Sequence, residues 1–416
     1  MSDWLRGRAD DVALAFGGDV VRYGELARAV DAAALPPGAG AVGCRVGTDP
    51  VDLVVTVLAG LRRGRPVLVG ADRAAADRLS PLLPEGTELG LTTSGSTAPP
   101  GAAPRMVART GASWLASAAP LAELAGLEAR DRVAVSGPLH VSMHLYAVLH
   151  ALSLGATATD RVQGAGVVHA TPTRLTRIVE EPDAPRSAIV AGAATGAALR
   201  GRAADRGIRL VEYYGAAELS FVLAGDGAVG ALEAFPGVEV ELRPTPGGDR
   251  IWARSPYLAL GTVDETGATD LERDERGFAT VGDLGERTAG GGIRVLGRGD
   301  AAITTAGATV PAEQVEARLA ALPGVAAAAV LGEPHDLLGQ RIVAVVELDA
   351  GATLEQVAAA ARGVLSAVEL PRRWYARPLP RTASGKVARA ALRDAVLSGE
   401  AGPGFPAAHA PDGTAA

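Results

Sequence analysis

The chain has one cysteine, Cys44, in 416 residues. No intrachain disulfide is therefore possible, and a reducing, cytoplasmic setting fits. Cys44 reads as a small buried apolar residue. Aromatic residues make up only 4% of the chain, which argues against a pocket built from many rings. Basic charge is not in excess: Lys+Arg 40 against Asp+Glu 47 leaves a net charge of -7, so nothing points to nucleic acid or an anionic membrane surface. No apolar run approaches the ~20 residues that a membrane helix needs. The start, Met1-Ser-Asp-Trp-Leu-Arg6, lacks an apolar h-region, so no secretory signal is expected. His140 and His144 stand four apart, but position 141 is valine where a zinc-protease motif needs glutamate. No further ligand cluster accompanies them, so no protein-built metal site is expected.

What is present is globular. Hydrophobic residues are 48% and charged residues 21%, and the length allows two or three domains with sizeable cores. From about 4 to 34 the pattern reads as a helix, a short hairpin at Gly17-Gly18 and a helix beginning near Tyr23. Helices are expected over 51–62, 74–83, 112–124, 144–154, 172–180 and 197–206. Apolar strands are expected over 66–70, 132–136, 166–170, 187–191 and 209–214. This alternation predicts an α/β layered fold. From about 231 the texture changes to short alternating strands with Gly, Pro and Asp turns, which reads as a small β subdomain over 231–299. From about 300 a third texture of α+β type predicts a second, compact domain over 300–396. The Gly/Pro/Ala-rich tail, 397–416, is expected to be disordered.

One loop carries most of the chemistry. Thr93, Ser94, Gly95, Ser96 and Thr97 are four hydroxyl side chains around a glycine. Such a run offers backbone N–H groups and hydroxyls to an anion, with Gly95 permitting close approach. By itself it reads more readily as linker. Further along come Tyr214-Gly-Ala-Ala-Glu218, Val281-Gly-Asp-Leu-Gly285, Leu296-Gly-Arg-Gly-Asp300 and Pro380-Arg-Thr-Ala-Ser-Gly-Lys386. Each has a bland reading too. Glu218 reads as an acid at a helix N-terminus, Asp283 as a turn residue, Arg298 and Asp300 as a surface pair, and Lys386 as a solvated loop lysine. Lys386 is not the lysine of a phosphate-binding Walker loop, because Pro380 occupies the required glycine position and Val387 follows.

In this order and at these separations, the five stretches resemble the adenylate-forming superfamily: acyl-CoA synthetases, peptide-synthetase adenylation domains and luciferases. Within it the chain is similar to short acyl-CoA ligases such as o-succinylbenzoate–CoA ligase. The resemblance implies a large N-terminal domain over 1–299 and a small mobile C-terminal domain carrying a catalytic lysine. It implies AMP-forming chemistry with ATP, Mg2+ and coenzyme A: a carboxylic acid is adenylated with loss of pyrophosphate, then passed to the thiol. It assigns residues 93–97 to the β- and γ-phosphates, Glu218 to Mg2+, and Tyr214 with Gly192, Ala193 and Ala194 to adenine. It assigns Asp283 and Arg298 to the ribose, and Lys386 to a bridge between carboxylate and α-phosphate. Asp300 is the implied hinge about which the small domain turns between half-reactions, and Gly307 marks the coenzyme A channel. His140, Ser142, Met143 and Tyr146 are the acyl-pocket candidates. A carrier protein or an amine is the alternative acceptor, and a nucleotide-binding homologue without turnover is the non-enzymatic alternative.

The chain departs from the family pattern in places. After Thr97 come Ala98-Pro-Pro-Gly-Ala-Ala-Pro-Arg105, which aligns with a four-residue insertion and puts Arg105 where a lysine is usual. Ala217 replaces the usual threonine before the acid, and Thr304 stands where many members have lysine.

Overall fold

The computed structural model describes residues 4–92, 105–192, 195–226, 231–245, 248–298, 302–305, 308–335, 339–381, 387–398 and 405–406. Contacts divide the chain into two units. One comprises 1–241, 252–281 and 287–294; the other comprises 242–251, 282–286 and 295–416.

In the first unit, short Val/Ile/Ala-rich runs form the middle of a nine-stranded sheet. Its order is Glu233–Ala234, Ser220–Gly225, Arg209–Ala216, Ser187–Val190, Val167–Ala170, Arg132–Val135, Thr157–Thr159, Val12–Phe16 and Asp19–Arg22. From Arg209–Ala216 to Val12–Phe16 the neighbours are parallel, and antiparallel strands close both sides. Ser187–Val190 and Val167–Ala170 are buried at every position. Burial on both faces is what an unbroken apolar run in a parallel strand requires.

A second sheet runs Gly267–Asp270, Gly261–Asp264, Met106–Arg109, Leu89–Thr92, Val67–Val69 and Val42–Cys44. Helix Pro50–Arg62 starts where Asp49 accepts from the Val51 and Asp52 amides, with Pro50 preset for the first turn. Helix Ser142–Leu154 ends at Gly155 in the left-handed conformation.

Several expectations are corrected. Residues 4–11 form no helix; Trp4 is buried from an irregular segment. The helix expected over 112–124 is two, Gly111–Leu115 and Ala118–Ala125. Leu89–Thr92 and Met106–Arg109 were not expected as strands. Within 231–299, six strands between Glu239–Thr245 and Ile293–Arg298 form a sheet of their own, while Gly261–Asp264 leaves the stretch to pair with Met106–Arg109. That pairing spans some 150 residues of chain, beyond what local pattern can encode.

In the second unit, Val325–His335 pairs antiparallel with Gly339–Leu348, which pairs in parallel with Arg373–Ala376. Period-two alternation splits Gly339–Leu348 between two cores. Ile342, Ala344 and Val346 pack with Val315, Leu319, Val357 and Trp374. Val343 and Val345 pack with Leu331, Tyr375, Leu392 and Val396. The tail expected to be disordered contributes Phe405–Pro406, which pairs with Arg373–Trp374. Among the described residues, no helix is long and apolar enough to cross a membrane.

Candidate active site

The parallel register of the first sheet lines up the strand ends that carry the motifs. Val135 pairs with His169, Ala170 with Val190, and Val190 with Glu212. The segment 136–140, Gly192 and the Tyr214–Glu218 stretch therefore all leave the same, C-terminal edge of the sheet. In open α/β sheets this is where ligands bind.

Glu218 is not at a helix N-terminus. It sits in the turn of an antiparallel hairpin, Arg209–Ala216 to Ser220–Gly225, half-buried. The turn is tight: the Leu219 amide donates to the Ala216 carbonyl at 3.1 Å. Ser220 leaves it with φ +60, the one non-glycine residue with positive φ among those described. A Cβ on Gly215 would meet the Ser220 carbonyl oxygen at 1.9 Å, so this hairpin requires glycine there. Tyr214 lies at the register shift that precedes it and is half-buried.

Gly192 follows strand Ser187–Val190, exposed and at φ +94, where a side chain is strained. Ala193 and Ala194 lie outside the described residues. The chain beyond them is held by Arg200, whose guanidinium donates to the Thr195 carbonyl and, at 3.3 Å, to Glu212. Burial holds the Glu212 carboxyl above its ordinary range against the opposing pull of Arg200.

Thr93, Ser94, Gly95, Ser96 and Thr97 also lie outside the described residues, but the residues that flank 93–104 are fixed. Thr92 pairs with Met106. The Thr92 hydroxyl donates to the His140 carbonyl at 3.3 Å, and Arg105 donates to the Thr262 hydroxyl at 3.0 Å. Thr92 and His140 are thus neighbours.

His140 is half-buried, its Nε2 lacks a partner, and burial lowers its pKa. Ser142 and Met143, in the first turn of helix Ser142–Leu154, are half-buried as well. Tyr146 is deeper. Its hydroxyl shares a 2.8 Å hydrogen bond with the Ser117 hydroxyl, and its ring meets Trp114 and Phe221 edge-on. Its polar tip is already used within the core.

Arg109 is a residue that sequence reading missed. As the last residue of a short strand it looks like a surface arginine, yet it has no exposure at all. Its Nη2 donates to the Tyr257 carbonyl at 2.9 Å and its guanidinium lies 5.2 Å from the Trp114 ring centroid. Nε and Nη1 have no partner. Burial pulls its pKa down to about 9, which leaves it charged at neutral pH; nearby Tyr146 and Glu218 act in the opposite direction.

In the second unit, Asp283 is buried as the first residue of strand Asp283–Arg287, and Arg298 closes strand Ile293–Arg298. Asp300, Gly307 and Lys386 lie outside the described residues. The residues that flank 382–386 are anchored. Arg381 and Val387 form an antiparallel bridge, and the Ala388 amide donates to the Pro380 carbonyl at 2.7 Å. Glu347 accepts from the Leu379 amide at 2.6 Å and from Arg381 at 2.8 Å.

Among the described residues no group of three or more His, Cys, Asp and Glu could hold a metal ion. The single hard carboxylate of Glu218 suits Mg2+ that is shared with substrate phosphates, the usual arrangement for that ion.

Residues 314–386 match the family of the AMP-binding enzyme C-terminal domain. An "uncharacterized acyl-CoA ligase", YhfT, of Bacillus subtilis is 31% identical over 353 residues, covering 77% of this chain and 71% of that one. A "probable 2-succinylbenzoate–CoA ligase" of Mycobacterium tuberculosis is 30% identical over 340 residues, covering 76% and 86%. The solved o-succinylbenzoate CoA synthetase (MenE) of Bacillus subtilis, in complex with the acyl-adenylate intermediate, superposes with a TM-score of 0.76 at 19% identity, covering 92% and 95%. That likeness is one of fold. The two sequence relatives, each aligned across about three quarters of this chain, carry more: the chain belongs to the acyl-CoA ligases of the AMP-binding, adenylate-forming superfamily.

Proposed function

We propose that the protein activates a carboxylic acid with ATP, forming an acyl-adenylate and pyrophosphate, and then transfers the acyl group to the thiol of coenzyme A. The observation that carries this reading is the pair of CoA-ligase relatives that match it over most of their own length.

The chemistry gives each motif its task. The first half-reaction brings a carboxylate against a triphosphate, so like charges must be neutralised as they approach. Residues 93–97 cradle the β- and γ-phosphates. Glu218 holds Mg2+, which supplies charge neutralisation at the phosphate oxygens when bound. Tyr214 stacks on adenine beside the small-residue segment 192–194, where the open backbone at Gly192 lets a ring lie close. Asp283 accepts from the ribose hydroxyls, and Arg298 donates to the same sugar. Lys386, a compact cation with three donors, bridges the carboxylate and the α-phosphate. His140, Ser142 and Met143 border the acyl group, with Tyr146 behind them. In the second half-reaction Lys386 is withdrawn by rotation about Asp300, and the strand pair flanking Gly307 borders the pantetheine path. The proposed domain division falls at 299/300. A cytoplasmic location would supply ATP and coenzyme A.

The test is acid-dependent pyrophosphate exchange over a panel of carboxylic acids, followed by product mass with and without coenzyme A. Exchange with at least one acid and a coenzyme A mass shift are expected. ATP binding without exchange for any acid overturns the reading. Exchange without the mass shift moves the acceptor to a carrier protein or an amine.

A further inference from the structure

Among the described residues, Arg109 is the charged side chain with no exposure. No carboxylate bonds to it, and two of its three nitrogens have no acceptor. A buried cation in such a state is costly, and an apolar side chain of similar volume would commonly stabilise the fold better. Stability does not explain it, so its connections are what matter.

Those connections lead to Glu218 in two steps. Arg109 Nη2 holds the Tyr257 carbonyl at 2.9 Å. Two residues on, the Ala259 amide donates to the Glu218 carbonyl at 2.8 Å. The next amide, Leu260, donates to the Ala108 carbonyl at 2.8 Å, and Gly261 then pairs with Ala108 in the sheet. Segment 257–260 is therefore a strap, tied on one side to the Arg109 strand and on the other to the turn that carries Glu218. Tyr257 is fixed independently by its hydroxyl, which donates to the Pro236 carbonyl at 2.7 Å. The turn needs such support, because it is built on a left-handed Ser220.

We propose that Arg109 is a positioning residue for Glu218: it holds the strap 257–260, and the strap's Ala259 amide holds the Glu218 turn where its carboxylate receives Mg2+. This rests on the reading of Glu218 as the Mg2+ carboxylate. A purely electrostatic role for Arg109 has the opposite sign, since a cation near Glu218 repels Mg2+ and its removal tightens the metal. Loss of position loosens it.

The experiment is calorimetric titration of a non-hydrolysable ATP analogue at increasing Mg2+, with the unfolding temperature followed in parallel. Arg109→Met is expected to raise the Mg2+ concentration at half-saturation by about tenfold, the usual scale for losing a group that orients a metal ligand. Arg109→Lys keeps the charge but not the planar donor geometry, and a shift of roughly threefold is expected. The lysine variant decides the matter if the methionine variant does not fold. Unchanged or lowered half-saturation, with only the unfolding temperature reduced, overturns the proposal. Glu218→Gln is the control. If it leaves the Mg2+ requirement unchanged, the reading of Glu218 fails; if it shifts the requirement and neither Arg109 variant does, only the role of Arg109 fails.

Discussion

Gly215 and Ser220 lie so close on opposite arms of the Glu218 turn that a single methyl group on Gly215 would lie 1.9 Å from the Ser220 carbonyl oxygen. Gly215→Ala is expected to open the turn, costing about 2–4 kcal/mol of stability and most of the pyrophosphate exchange. Urea unfolding and exchange rates check both. Ser220→Gly has the opposite expectation. It relieves a left-handed serine at φ +60 and should hold or raise stability, by up to ~1 kcal/mol. A large loss there would mean that the serine side chain, not its backbone, shapes the turn.

Lys386 separates the half-reactions. Lys386→Ala is expected to abolish adenylation while sparing thioester formation from a preformed acyl-adenylate. The two rates are measured separately, and equal loss of both contradicts a role confined to adenylation.

Glu347 is expected to act through the same loop from outside it. Its carboxylate ties down Leu379 and Arg381, just before the lysine segment. Glu347→Ala should lower adenylation about tenfold, with the thioester step nearly intact, if losing two charge-assisted hydrogen bonds frees the loop root. A fall in both rates in proportion to unfolded protein would reduce Glu347 to a structural residue.

Acid should destabilise the first unit through its buried histidines. Burial pushes His144 and His150 down to about 4, with the charges of Arg174 and His140 adding to the effect on His144. His169, fully buried beside them, is lowered as well. In the unfolded chain these groups titrate near 6.5, so between about 6.5 and 4 the unfolded state takes up protons that the native state does not. Stability is therefore full above pH 6.5 and lost as pH falls towards 4, on the order of 3 kcal/mol for each of His144 and His150. Urea midpoints at pH 7.5 and 4.5 measure the loss, and His144→Leu should show a smaller one.

The local pattern was legible wherever an element buries itself with its own residues. The runs Val167–Ala170 and Ser187–Val190 and helix Pro50–Arg62 announce themselves by apolar spacing. The five motifs in order point to the family because their combination is specific even where each part is not. What stayed hidden depends on distant partners. Leu89–Thr92 and Met106–Arg109 are four residues each, either side of a Ser/Gly/Pro-rich stretch, and become strands by pairing with each other, the second also with Gly261–Asp264. Glu218 followed by Leu219 reads as well into a helix as into a hairpin; the left-handed Ser220 decides it. Arg109 carried no local signal, because its burial depends on tertiary neighbours such as the Tyr257 carbonyl, 148 residues further along the chain.

Cys44, the lone cysteine, is 3% exposed, and burial raises its thiol to about 11 against a lesser pull from Thr56. At neutral pH it is neither accessible nor a thiolate, so maleimides will pass it by. The natural protein is thus already a blank background for thiol labelling. One cysteine placed on an exposed position of each unit, with a fluorophore pair attached, gives a direct optical record of whether the units change separation when ATP, acid and coenzyme A are added in turn.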